Sequence, residues 1–113
     1  MEQLRLVVFY KSYFRSFFDK QTDKVKDKID LGLYYLQYIK TIPTKYIGST
    51  EHSNLLYLRI KQGSDIYRIF FCYDKNKVVV LMNGFQKKTD KLPEKEIAIA
   101  LKIKKEYFDE KEK

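Results

Sequence analysis

Apolar residues follow changing spacings along this chain, and each change of spacing marks a change of element. Leu4, Leu6 and Val8 alternate with Arg5, Val7 and Phe9, a run of strand length that ends at Lys11-Ser12. Ser12 can cap a short helix whose Phe14, Phe17 and Phe18 share one face at i, i+3, i+4 spacing. Thr22-Asp23 offers a second cap. After it Val25, Ile29, Leu33 and Leu36 recur at helical spacing and predict a long helix that ends near Thr41, with Pro43 as its stop. Gly32 inside that helix costs about 1 kcal/mol against alanine, so it implies close packing or a bend.

The stretch from Thr44 to Asn54 has no period, holds Gly48 and several Ser/Thr, and reads as a surface loop. Three β-rich runs follow, Leu55 to Lys61, Ile66 to Tyr73 and Val78 to Asn83. The separators Gln62-Gly63-Ser64-Asp65 and Asp74-Lys75-Asn76-Lys77 are hairpin-like, which predicts an antiparallel meander. Pro93 opens a last helix, Glu94 and Glu96 lie at its positive end, and Ile97, Ala100, Leu101, Lys104 and Phe108 form its packing stripe. The charged tail Asp109 to Lys113 is expected to fray. The expected order is β-α-α-β-β-β-α, an α+β fold with helices packed on a twisted, mainly antiparallel sheet, in one domain over residues 1–113.

Composition narrows the class. The chain has 113 residues, 44% hydrophobic and 16% aromatic, enough for one core. A lone Cys72 cannot form an internal disulfide, and no signal peptide or membrane-length apolar run is evident, so a cytoplasmic location away from membranes is expected. The formal net charge is +8, and it is uneven: residues 55–93 carry 8 Lys+Arg against 3 Asp+Glu, whereas residues 94–113 carry 6 against 6. A basic excess concentrated on the meander points to nucleic acid or another polyanion.

Period 2 decides which meander side chains share a face. Leu55, Tyr57, Arg59 and Lys61 point one way and Leu56, Leu58 and Ile60 the other; Arg68 shares a face with Ile66, Phe70 and Cys72. An arginine in an otherwise apolar strand needs a partner, an anion or a cleft. If Arg59, Arg68, Lys87 and Lys88 converge they form a cationic site; the alternative is that the arginines pair with Asp65, Asp74 or helix acids and that the lysines form a solvated turn. His52 reads as an exposed spectator and Cys72 as buried packing, and no Cys/His pairing supports a metal site. The Tyr34, Tyr35 and Tyr38 cluster reads as core and helix-packing surface, with a partner segment as the other possibility.

Leu58-Arg59-Ile60, Gly63, Tyr67-Arg68-Ile69 and Asn83-Gly84-Phe85-Gln86-Lys87-Lys88-Thr89, followed by Pro93 and Glu96-Ile97, resemble the HigB-like, phage-derived branch of the RelE/ParE toxins over residues 55–108. The resemblance implies a RelE-like fold and a metal-independent, cofactor-free endoribonuclease that cuts ribosome-bound mRNA. It also implies a cognate antitoxin, expected to be a helix-turn-helix protein, and leaves the oligomeric state open. Catalysis would fall to Arg59, Arg68, Lys87 and Lys88, and RNA contacts to Tyr57, Lys61, Asn83, Phe85 and Lys91. The chain departs from the family pattern at Tyr57, where glutamate is common, and at Asn83, where histidine is common. If those positions supply proton transfer, activity is weakened, altered or lost. A ParE-like gyrase-binding toxin and a catalytically degenerate binding module of the same fold therefore stand as alternatives.

Overall fold

The computed structural model of the chain describes residues 1–112. Its elements are β1 (Leu6–Phe9), α1 (Tyr13–Asp19), α2 (Asp23–Tyr38), β2 (Ile47–Ser49), β3 (Leu56–Gln62), β4 (Asp65–Asp74), β5 (Val78–Gln86) and α3 (Glu94–Lys111). The five strands form one sheet in the order β1-β5-β4-β3-β2, antiparallel throughout except for the parallel β1–β5 pair. This is the α+β arrangement expected, with one strand more. β2 lies in the segment read as a loop. Three residues around Gly48 are too few to show a period, and the strand exists because Ile47, Gly48 and Ser49 pair with Leu58, Tyr57 and Leu56.

Helices cover both faces of the sheet. On one, Phe14 of α1 and Val25, Ile29, Leu33 and Leu36 of α2 bury against Leu58, Ile60, Ile69, Phe71, Val79 and Leu81. On the other, Ala100 and Ile103 of α3 bury against Leu55, Tyr57, Phe70, Cys72, Val80 and Met82. The alternation read along β3 and β4 is thus the division between two cores. Gly32 reflects close packing: a Cβ there would stand 2.7 Å from the Leu58 side chain and 3.2 Å from that of Ile60.

Three ends differ from expectation. α2 stops at Tyr38, short of Thr41, because Ile39 turns extended and the Arg5 guanidinium takes the carbonyls of Leu36, Ile39 and Lys40, satisfying acceptors that a further turn would have used. β5 runs on past Asn83 to Gln86 through a bulge, where Met82 and Asn83 together oppose Phe70. The bulge shifts the parity: Met82 faces α3, Asn83 donates to Glu96 of α3, Gly84 turns to Phe17 of α1, and Phe85 returns to stack on Phe70. The tail through Lys111 is helical rather than frayed, because Lys111 pairs with the buried Asp74, Tyr10 donates to Glu110 and Lys105 bonds Asp109. Lys113 lies outside the described residues.

Candidate anion-binding site

The pairing of β3, β4 and β5 sets Arg59 opposite Arg68 and Arg68 opposite Phe85, a row across three strands on the face that carries α3. α3 runs from the level of Asn83, where Glu96 sits, to the level of Asp74, where Tyr107 and Lys111 sit. Its first turn therefore stops short of the Arg68–Phe85 row, and Leu92, in the segment before it, packs against the core of that face. Arg68 is buried, at 7% exposure, yet its Nε and Nη1 have no hydrogen-bond partner. Two guanidinium groups directly opposite one another repel unless an anion or an aromatic face intervenes. Here both lie against the Tyr57 ring, Arg59 at 5.4 Å and Arg68 at 5.0 Å from its centroid. Gly48 makes room for that ring, since a Cβ on it would come within 2.4 Å of Tyr57.

The two arginines differ in what their donors already do. Arg59 Nη1 donates to the carbonyls of Thr44 at 2.9 Å and Ile47 at 3.3 Å, and Nη2 donates to the Tyr57 hydroxyl at 3.3 Å. It is a strut that holds the chain before β2 against β3. Neither arginine makes an ion pair among the described residues, so the expected alternative of pairing with Asp65, Asp74 or a helix acid does not hold. Asp74 is committed elsewhere, to Tyr107 and Lys111.

Lys87 continues the strand pairing, its N–H donating to the Ile66 carbonyl at 2.7 Å, and its ammonium lies 3.0 Å from Asp90. Asp90 is held below the usual carboxylate range, first by the Lys87 hydrogen bond and charge, with the Arg68 guanidinium adding to it. Arg68 and Lys87 thus share one local field. Lys87 and Lys88 line a cavity of about 290 Å³ with Ser64, Ile66, Thr89 and Asp90. Lys61 lies apart from these, on the wall of a larger cavity beside α2 that Arg59 also lines. Lys91 is exposed on the segment after β5, where its carbonyl accepts from Thr89.

Of the residues expected to touch RNA through aromatic faces, Tyr57 is buried at 6% exposure with its ring occupied by the guanidinium groups, while half-buried Phe85 has Phe70 at 5.7 Å. Asn83 donates to the Glu96 carbonyl and carboxylate, and its buried Oδ1 has no partner. His52 lies before β3, at the end of that strand away from Lys61. Burial pushes the Cys72 thiol up to about 11, which keeps it protonated and inert at neutral pH. Sequence reasoning missed Asp90, whose position beside a lysine three residues back was the available signal, and Gly48, which had none.

Among the described residues no three His, Cys, Asp or Glu side chains gather to hold a metal ion, and no helix is long and apolar enough to cross a membrane. No curated protein matches the chain. The model of one family, described as phage derived protein Gp49-like (DUF891), matches residues 16–105. That span runs from α1 into α3 and takes in Arg59, Arg68 and the Lys87-Lys88 turn, and on its strength the chain belongs to the phage-derived Gp49-like family.

Proposed function

We propose that this chain is the toxin of a toxin–antitoxin pair and cleaves ribosome-bound mRNA without a metal, in the manner of the RelE/ParE toxins that its β3–α3 motifs resemble. Membership of a phage-derived family is consistent with that role. The observation that carries the reading is Arg68, a buried cation with two unspent donors and no carboxylate partner among the described residues. In 2′-OH attack on the adjacent phosphate, charge builds on the phosphorane oxygens, and a preoriented guanidinium in a low-dielectric site stabilises it most where it is already desolvated. Arg68 is the clamp, Arg59 and Tyr57 position it, and Lys87 and Lys88 between them take the proton from the 2′-OH and give one to the leaving 5′-oxygen. The antitoxin, a small helix-turn-helix protein, blocks the ribosome-bound state.

Expression of the chain alone should arrest growth and shorten transcripts within translated regions, and Arg68→Ala should lower cleavage by roughly 100-fold or more, the scale of a lost oxyanion donor. Intact mRNA with gyrase-linked DNA breaks would select a gyrase-directed toxin instead. One observation favours a binding module without catalysis: Tyr57 and Asn83, at the two positions where the resembling family places glutamate and histidine, are both engaged, by Arg59 and by Glu96. In that case the chain would bind RNA through Arg68 and leave it uncut.

A further inference from the structure

A cavity of about 600 Å³ lies between α2 and the β3–β4 hairpin. Its floor is apolar: Leu31, Gly32, Ile60 and Ile66. Its walls carry Lys28, Lys45, Arg59 and Lys61, and no Asp or Glu lines it. Helical spacing explains the charge sorting on α2. Lys24, Lys28, Leu31 and Tyr35 fall on the flank beside β3, and Asp23, Asp27 and Asp30 on the outer flank. The cations converge, since Lys45 lies 5.0 Å from the Tyr46 ring and, with Lys28, helps to hold the Tyr46 hydroxyl below its ordinary range, the Tyr35 hydrogen bond being the largest cause. The apolar surface does not end at the cavity. Leu31 is 43% exposed and Tyr34 39%, and Tyr34, Tyr35, Tyr38 and Tyr46 form a connected aromatic strip, with Tyr35 stacked on Tyr46 at 4.6 Å.

We infer that this groove is the docking site for a short, acidic, amphipathic segment of a protein partner, which lays aliphatic side chains over Leu31 and Ile60 and carboxylates against Lys28, Lys45 and Lys61. Charge complementarity selects the occupant. A floor of aliphatic carbon excludes a phosphate backbone, which needs donors along its whole length, while the unopposed cations around it exclude a neutral or basic segment. Arg59 links the groove to the site. It lines this cavity and also lies against the Tyr57 ring beside Arg68.

The test displays random peptides of about twelve residues against the immobilised full-length chain, a length that spans a groove of this kind. Selected peptides should be rich in Asp and Glu interleaved with aliphatic residues. Synthesised singly, they should weaken by about tenfold or more on Lys28→Glu/Lys45→Glu and on Leu31→Ser, yet bind Arg68→Ala as they bind the native chain. Selected peptides without an acidic excess, or affinities unchanged in both groove variants, would overturn the proposal. So would a single-stranded RNA that loses as much affinity as the peptides on Leu31→Ser, because a phosphate backbone does not sense an apolar floor. Peptide binding needs no RNA cleavage, so a chain that cuts nothing but binds acidic peptides in the groove overturns the catalytic reading alone.

Discussion

At the scale of single residues, Arg68 sets function against stability. A buried guanidinium with two unpaired nitrogens costs free energy that an apolar side chain of similar length would not. Arg68→Met should therefore raise the free energy of unfolding by about 1–3 kcal/mol while it removes activity, because such buried polar groups are retained where chemistry needs them. Thermal unfolding of the variant beside the native chain checks this. A lower midpoint for Arg68→Met would mean that the arginine holds the sheet together, and the assignment of the anion site would fall with it.

At the scale of elements, α3 is held to the sheet at its C-terminal end by charged contacts, with Asp74 taking Tyr107 at 2.8 Å and Lys111 at 2.6 Å, and Glu106 taking Lys11 at 2.8 Å and Tyr13 at 2.7 Å. These carboxyls sit below their ordinary range, Asp74 first through the Lys111 hydrogen bond, Glu106 through that of Lys11, and Glu110 through that of Tyr10. A carboxyl whose folded value is depressed adds stability above its unfolded value near 4 and loses it as pH falls through the folded one, so the docking of α3 should weaken below about pH 4. Desolvation, with hydrogen bonds to Glu110 and Asp74, pushes Tyr10 and Tyr107 up to about 12, so those contacts should be lost as pH rises from about 10 towards 12. Unfolding midpoints across pH should show that plateau. Asp74→Asn should lower the plateau by about 1–3 kcal/mol, by leaving the Tyr107 and Lys111 donors poorly satisfied, and should flatten the acid limb. An acid limb identical to that of the native chain would show that the unfolding at low pH starts elsewhere.

At the scale of the whole molecule, the charge of +8 is partitioned. The meander and the segment after it carry Arg59, Lys61, Lys87 and Lys88, which with Lys28 and Lys45 line the two cavities, while residues 94–113 balance 6 Lys+Arg with 6 Asp+Glu. Binding of RNA or ribosomes through that surface releases counterions, so affinity should fall by roughly 10-fold or more between 50 and 200 mM salt if three or more phosphates are neutralised. Filter binding across that range measures it. A flat salt dependence would remove the basic surface from the binding account.

Much of the fold was legible because burial repeats with a fixed period. Period 2 along β3 and β4 separated the two cores, helical spacing marked the buried faces of α1, α2 and α3, and Arg68 stood out as a charge in an apolar strand. Local pattern could not reveal β2, whose three residues become a strand only through pairing with β3, nor the early end of α2, which Arg5 arranges from 31 to 35 residues away. The bulge at Met82 and Asn83 likewise has no sequence period, yet it alone turns Phe85 to the face of Phe70 and Arg68. The sequence by itself determined which side chains are buried and where the cations are concentrated, because both follow from hydrophobicity and charge read residue by residue. Only the tertiary structure decided that Arg59 spends its donors on Thr44, Ile47 and Tyr57 while Arg68 keeps two unspent, because hydrogen-bond partners are chosen among groups distant in the chain that the sheet register brings together.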